Sequence, residues 1–232
     1  IKKEINKKDL SSIDLIVEER LKGKPLAYLI GKKGFWKNSF IVTPDVLVPR
    51  PETETLVDAI LNENLQGKTI LELGTGSGAI AISIAQENKD CFIFATDISI
   101  KSILVAKQNA AKFCCENIIF LNHDWNNEWL FHQVDYLISN PPYVDKEATT
   151  GKEEGIWHEP EKALFSKDKG LSDLKLILSK GKNFLNENGK VYLEHAPDQY
   201  EELNKFAVEN GYLNFSNLND LNGDKRVSIY QC

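Results

Sequence analysis

From Thr69 to Ser139 the chain alternates short aliphatic runs with stretches of helical period: "TILEL", a helix from Gly78, "FIFAT", a helix from Ser99, "IIFL", then "DYLIS". Runs this short and this continuously apolar belong to strands buried on both faces. Their alternation with helices makes those strands parallel and joins them by crossovers. After a long loop the pattern resumes with a helix from about Ser172, a strand "KVYLEH" following Asn188-Gly189 and a helix from Asp198 to about Asn210. Two strand-like segments around Leu213 and from Arg226 to Tyr230 close the chain, separated only by the turn "LNDLNGDK". The expected fold is α/β, with a doubly wound, mostly parallel, Rossmann-like sheet that ends in an antiparallel hairpin.

A short helical and hairpin segment precedes this sheet. Ser11 or Ser12 is expected to cap a helix through "IDLIVEERLKG", with Ile13, Ile16 and Val17 on one face and with Gly23 and Pro25 as its stop. "GFWKNSFIVTP" reads as a hairpin turning at Lys37-Asn38-Ser39. Pro51 suits the first turn of a helix from about Glu52 to Leu65, closed by Gly67. The 232 residues suffice for one main core and a small appendage.

Composition narrows the function. With 42% hydrophobic and 27% charged residues and no apolar run of membrane length, the chain reads as soluble, and no secretory signal is visible. Cys91, Cys114, Cys115 and Cys232 have no metal-ligand or disulfide spacing and read as reduced thiols of a cytoplasmic protein. His123, His132, His158 and His195 are scattered, so no metal site is expected. Net charge is −6, split into about +5 over residues 1–40 and about −11 beyond. That balance opposes a surface built to grip nucleic acid, which must neutralise phosphates.

"ILELGTGSGAIAISIA" joins the first strand to its helix through Gly74, Gly76 and Gly78, a strand-loop-helix nucleotide pocket whose glycines let a ligand approach the backbone and whose helix start offers free N–H groups. The loop alone is ambiguous, because Gly74, Gly76 and Ala79 also satisfy the dinucleotide fingerprint. Asp97 ends the next strand, where an acidic side chain reaches ribose hydroxyls in either cofactor class or simply caps a turn. Asp124 and Trp125 end the third strand, and Trp125 reads either as a purine platform or as core.

The fourth strand runs into "NPPY", Asn140 to Tyr143, at the sheet edge beside the glycine loop. Asn140 offers a side-chain carbonyl and Pro141 a main-chain one, so two acceptors converge on a planar NH2 group. Pro141 and Pro142 hold the backbone near φ −65°, and Tyr143 is available to stack on the same plane. No neighbouring residue makes a good general base. That suits an amide or aromatic amine whose nitrogen gains density as its N–H groups are bound. The partner electrophile should be cationic with a transferable carbon, which S-adenosylmethionine supplies.

"NPPY" after "ELGTGSG" and an acidic strand end resembles the class I S-adenosylmethionine-dependent amino methyltransferases. "GFWKNSFIVTPDVLVPRPETETLVDAIL", with "GKPLAYLIG", "HEPEKALF", "LEH" and "NGDKRV", is similar to the HemK/PrmC family of release factor glutamine N5-methyltransferases over nearly the whole chain. The resemblance implies that Gly74, Thr75, Gly76, Ser77, Gly78, Asp97, Trp125 and Asn140 contact S-adenosyl-L-methionine. It also implies that Asn140, Pro141, Pro142 and Tyr143 hold the glutamine amide of a release factor Gly-Gly-Gln motif, with Asn140, Pro141 and Tyr143 acting on it as it reacts. Arg50, Glu52 and Glu54 match a family signature without an assigned chemistry. His158 stands where the family carries an aromatic residue, and Ala196-Pro197 where it carries glycine.

Under this resemblance residues 1–25 are the remnant of a helical N-terminal domain, 26–50 a β-hairpin linker and 51–232 the methyltransferase domain. Because the chain contains no methionine and only one such helix, it is expected to be a fragment lacking its true start. Expected partners are peptide chain release factors, with no membrane, no direct nucleic acid and a monomeric state. The competing readings are a DNA or RNA amino methyltransferase using the same four residues, a nicotinamide-dependent oxidoreductase, which leaves "NPPY" and "PRPETE" without a role, and a binding module that has lost its chemistry.

Overall fold

The computed structural model describes residues 7–129, 132–149 and 156–232. Upstream of the main sheet lie α1 (Lys7–Leu21), the short α2 (Leu26–Ile30) and a hairpin of β1 (Lys32–Phe35) and β2 (Asn38–Ile41). A 3₁₀ turn at Pro51–Thr53 leads into α3 (Glu54–Leu61). There follow β3 (Thr69–Leu73), α4 (Ala79–Glu87), β4 (Phe92–Asp97), α5 (Ile100–Lys112), β5 (Ile118–Asn122) and β6 (Val134–Ser139). The short β7 (Val144–Asp145), α6 (Glu161–Leu164) and β8 (Phe165–Ser166) come next. The chain ends with α7 (Ser172–Gly181), β9 (Leu185–Glu194), α8 (Tyr200–Glu209), β10 (Asn214–Asn219) and β11 (Lys225–Gln231).

The main sheet has the order β10-β11-β9-β6-β3-β4-β5. Strands β5, β4, β3, β6 and β9 are parallel, while β11 joins β9 and β10 joins β11 antiparallel. This is the expected doubly wound sheet with its terminal hairpin. The chain winds outward from β3 through β4 to β5, then returns to β6 on the other side of β3. The loops after β3 and β6 therefore diverge at the carboxyl edge, where open α/β sheets bind ligands.

Side chains alternate across the sheet into two cores. Ile70, Ile138 and Tyr192 pack with Leu56, Ile60, Ile82 and Ile84 of α3 and α4, and Phe35 and Phe40 of the hairpin join them. Leu71, Leu137, Val191 and Leu193 pack on the opposite face with Leu174, Ile177, Leu178 and Leu203 of α7 and α8. A satellite cluster of Tyr28, Val42, Val46 and Val48 sits on Val105 of α5.

Four local expectations change. Helix α1 starts at Lys7, so Ser11 and Ser12 lie within it rather than at its cap, and the face carrying Ile13 and Val17 is exposed. The hairpin turns at Trp36-Lys37, since Phe35 pairs with Asn38. Trp36 takes φ +51, a cost offset by Glu54 Oε1 accepting its main-chain N–H at 2.8 Å and by its indole N–H donating to Glu87. Helix α3 ends at Leu61, four residues short of the expected end, after the 3₁₀ turn has taken its first residues. Strand β9 begins before Asn188-Gly189: its register against β6 jumps from Val134↔Leu185 to Tyr136↔Lys190, and Asn188 at φ +64 lies inside the bulge.

Candidate active site

The loop after β3 is held rigid by its own bonds. Gly74 and Thr75 N–H both donate to Thr96 O, at 2.9 and 2.8 Å, Gly76 N–H donates to Asp97 Oδ2 at 2.9 Å, and Gly78 N–H donates to Thr75 O at 2.8 Å. These four donors are spent on holding the loop in shape. Gly74, Gly76 and Gly78 all have positive φ, but for different ends. A Cβ on Gly78 would lie 2.7 Å from Ile82 Cδ1 and 3.2 Å from Ala106, so this glycine serves the packing of α4 against α5. One on Gly76 would meet open space, and one on Gly74 would press 3.2 Å from the Trp125 ring.

A cleft of about 460 Å³ opens over this loop, lined by Gly74, Gly76, Asp97, Trp125, Asn140 and Pro142. Two further walls come from segments to which the sequence alone assigned no site role: Pro44 to Leu47 after the hairpin, and Pro160 to Ala163 of "HEPEKALF". The first is fixed by the Ser102 hydroxyl donating to Asp45 O and by the Tyr28 hydroxyl donating to Val46 O. The second is tied to it by Glu159, a buried carboxylate that accepts Val48 N–H at 2.9 Å and pairs with Arg50. Arg50 thus has a partner. His158 likewise has one, its Nε2 lying 3.1 Å from Lys22 O.

Asp97 both lines the cleft and caps the turn. Its Oδ2 takes Gly76 N–H and its Oδ1 takes Ser99 N–H at 2.8 Å. Burial raises its carboxyl pKa against the pull of these bonds. Trp125 is equally constrained: its indole N–H donates to Asp173 at 3.0 Å, and its ring stands against Gly74 with an open side toward the cleft. A partly apolar cleft with the Asp97 carboxylate and the Trp125 ring on its walls suits a nucleoside.

The "NPPY" segment follows β6 beside this loop. Its backbone is pinned by the Ser139 hydroxyl donating to Leu73 O at 2.7 Å. Asn140 lines the main cleft and also a recess of about 50 Å³ that it shares with Thr75, Ser77, Arg50 and Thr53. Its Nδ2 donates to Thr53 Oγ1 at 3.1 Å. Pro141 is buried, and Tyr143 lines neither cavity. Instead, the Tyr143 hydroxyl donates to Glu194 Oε1 at 3.0 Å, and Gln199 Nε2 donates to Tyr143 O at 2.9 Å.

Two buried carboxyls were not singled out from sequence. Glu72, at the end of β3, accepts from the Thr75 hydroxyl at 2.6 Å. Burial pushes its pKa up to about 7, the Thr75 bond opposing and Asp97 adding to the rise. Glu194, at the end of β9, is also pushed up to about 7 by burial, with Thr53, Tyr143 and Arg226 pulling the other way. Thr53, Glu159, Glu194 and Arg226 belong to "PRPETE", "HEPEKALF", "LEH" and "NGDKRV" respectively. Motif matching marked those blocks without a role for any of the four. Glu54 braces the hairpin turn, as described, and Glu52 lies close enough to Glu194 to raise its pKa.

Comparison with known proteins agrees with this geometry. Residues 51–203 match the family described as methyltransferase small domain. A release factor glutamine methyltransferase of Coxiella burnetii is 37% identical, covering 97% of this chain and 82% of the relative. One from Francisella tularensis is also 37% identical, over 99% of this chain and 82% of the relative. Among solved structures, a methyltransferase from Pyrococcus furiosus superposes with a TM-score of 0.64 at 19% identity, covering 95% of this chain and 98% of its own, which shows the shared fold. By residues 51–203 the chain belongs to the methyltransferase small domain family and, by similarity over nearly its full length, to the release factor glutamine methyltransferases.

Proposed function

We propose that this protein transfers a methyl group from S-adenosylmethionine to the side-chain amide nitrogen of a release factor glutamine, the one in its Gly-Gly-Gln motif. The observation that carries the proposal is the position of Asn140. It directly follows β6, the strand beside β3 and its glycine loop, and lines two cavities at once, a large cleft suited to a nucleoside and a small recess beside it. A two-substrate transfer needs such a shared wall. The names of the relatives, over most of both chains, supply the substrate class.

When bound, S-adenosylmethionine supplies an electrophilic methyl on a cationic sulfur. Asp97, with both oxygens oriented by backbone N–H groups, is placed to accept ribose hydroxyls, and Trp125 is placed to flank the adenine. Asn140 Oδ1 and Pro141 O would accept the two amide N–H groups of the glutamine, which pushes electron density onto nitrogen and stabilises the positive charge that develops there until one of those protons is lost to water. Tyr143 lines neither cavity; anchored through Glu194, it holds the end of the segment in place. Glu194 lines neither cavity and so is not positioned to act as a base on the amide; positioning and acceptor placement carry the step.

In this reading the enzyme works in the cytoplasm as a monomer on a protein. An adenine or guanine amino methyltransferase would use the same acceptors, but it needs a basic docking face that a chain of net charge −6 does not favour. The test is incubation of the protein with labelled S-adenosylmethionine, a purified release factor and, separately, DNA and RNA. Mass spectrometry is expected to find one added methyl on the Gly-Gly-Gln glutamine. An unmodified glutamine together with a methylated base would transfer the assignment to the nucleic-acid class.

A further inference from the structure

The two ends of an asparagine carboxamide have nearly the same shape, yet one accepts hydrogen bonds and the other donates them. In a site that must accept from a substrate N–H, a carboxamide turned by half a rotation presents the wrong end. Something has to choose. The backbone before Asn140 is fixed by the Ser139 hydroxyl on Leu73 O, which leaves the side-chain torsions as the remaining freedom.

The group that meets Asn140 Nδ2 is Thr53 Oγ1, 3.1 Å away and distant in sequence. Thr53 is 4% exposed and sits at the end of the 3₁₀ turn that Pro51 starts, so its own position has little slack. Glu194 is fully buried and lies close enough to Thr53 for that hydroxyl to lower its carboxyl pKa. Glu194 Oε1 takes the Tyr143 hydroxyl, while Oε2 has no hydrogen-bond partner among the described residues. A carboxylate oxygen on that side attracts the single hydroxyl proton of Thr53 and turns its lone pairs toward Asn140. Lone pairs accept only from the NH2 end.

We propose that Thr53 is a positioning residue that, backed by Glu194, locks the Asn140 carboxamide with its oxygen toward the methyl acceptor. This rests on the function proposed above. It also gives the threonine of "PRPETE" a task, and it links that block to "LEH" and "NPPY" as one device: Thr53 holds Asn140, and Glu194 holds Tyr143.

The test uses Thr53→Val, which keeps the shape, Thr53→Ala, which removes the hydroxyl without adding a methyl, and Thr53→Ser, which restores it. Single-turnover methylation of a release factor is measured beside calorimetric binding of S-adenosylmethionine. Both hydroxyl-free variants are expected to lose about 10-fold to 10²-fold in the chemical step, the scale of a misplaced reacting group. KM for the release factor and cofactor affinity should stay near wild type, and Thr53→Ser should recover most of the rate. Thr53→Val combined with Asn140→Ala should be no slower than Asn140→Ala alone, because the two act as one unit. Turnover by whichever hydroxyl-free variant folds at near the wild-type rate, with Asn140→Ala slow, would overturn the role of Thr53 and leave the function standing. Asn140→Ala at the wild-type rate would instead remove the function on which the role rests.

Discussion

Asp97 resolves a choice that its sequence position leaves open, because it caps a turn and faces the cleft at the same time. Each oxygen already holds a backbone N–H, from Gly76 and from Ser99, and each has a further lone pair for a ligand hydroxyl. Replacement therefore has two effects. Asp97→Ala should weaken binding of S-adenosylmethionine by about 1–3 kcal/mol through the lost contact and the loosened Gly76. Asp97→Asn should be no better, although it is closer in shape, because its NH2 end must face one of two N–H donors. Calorimetry with both variants checks this. Wild-type affinity in Asp97→Asn would mean that the carboxylate is a turn cap and nothing more.

Between elements, the least visible residue from sequence is Asn109, in the middle of α5. Within "KQNAAK" it reads as solvent-facing, yet it is fully buried. Its Oδ1 accepts Ile41 N–H at 2.7 Å, and its Nδ2 donates to Ile41 O and Ser77 O, both at 2.9 Å. One side chain thus completes the backbone bonding of β2 and fastens it to the glycine loop. Asn109→Ala removes a partner from one buried and two half-buried main-chain groups, which should cost about 1–3 kcal/mol in denaturant unfolding. It should also weaken cofactor binding and speed hydrogen exchange in the β1–β2 hairpin ahead of the main sheet. Exchange that rises uniformly over the protein would show that the hairpin is not held by this clamp. The same contrast explains what the sequence makes legible. The parallel strands show themselves because continuous burial leaves an apolar run that turn residues punctuate, and Gly74 to Asp97 show themselves because ligand loops need particular residues at particular spacing. The turn at Trp36, the cleft walls at Pro44–Leu47 and Pro160–Ala163, and the partners Glu159 and Glu194 depend on contacts between distant segments, such as Val48 with Glu159, which no local pattern records.

Taken over the whole molecule, the carboxyl edge of the sheet concentrates acid groups that burial makes reluctant to ionise. Glu72 and Glu194 lie on β3 and β9, each at the end of its strand and each pushed up to about 7 from 4.5. A carboxyl whose folded pKa is raised contributes stability that is fully present below the unfolded value and is lost as pH rises through the folded one. These two groups should therefore erode stability between about pH 4.5 and pH 7, by up to roughly 3 kcal/mol apiece. Buried His195, whose pKa burial lowers, acts in the opposite direction, since its contribution is lost as pH falls below the ordinary histidine value. The overall stability profile mixes these trends, so the test is a difference. Glu194→Gln mimics the protonated acid, and its oxygen still accepts from Tyr143. The melting temperature of the variant should match wild type near pH 5 and exceed it by several degrees at pH 8. A difference that stays constant across that range would show that Glu194 does not titrate within it, and that Arg226 keeps it ionised in the folded protein throughout.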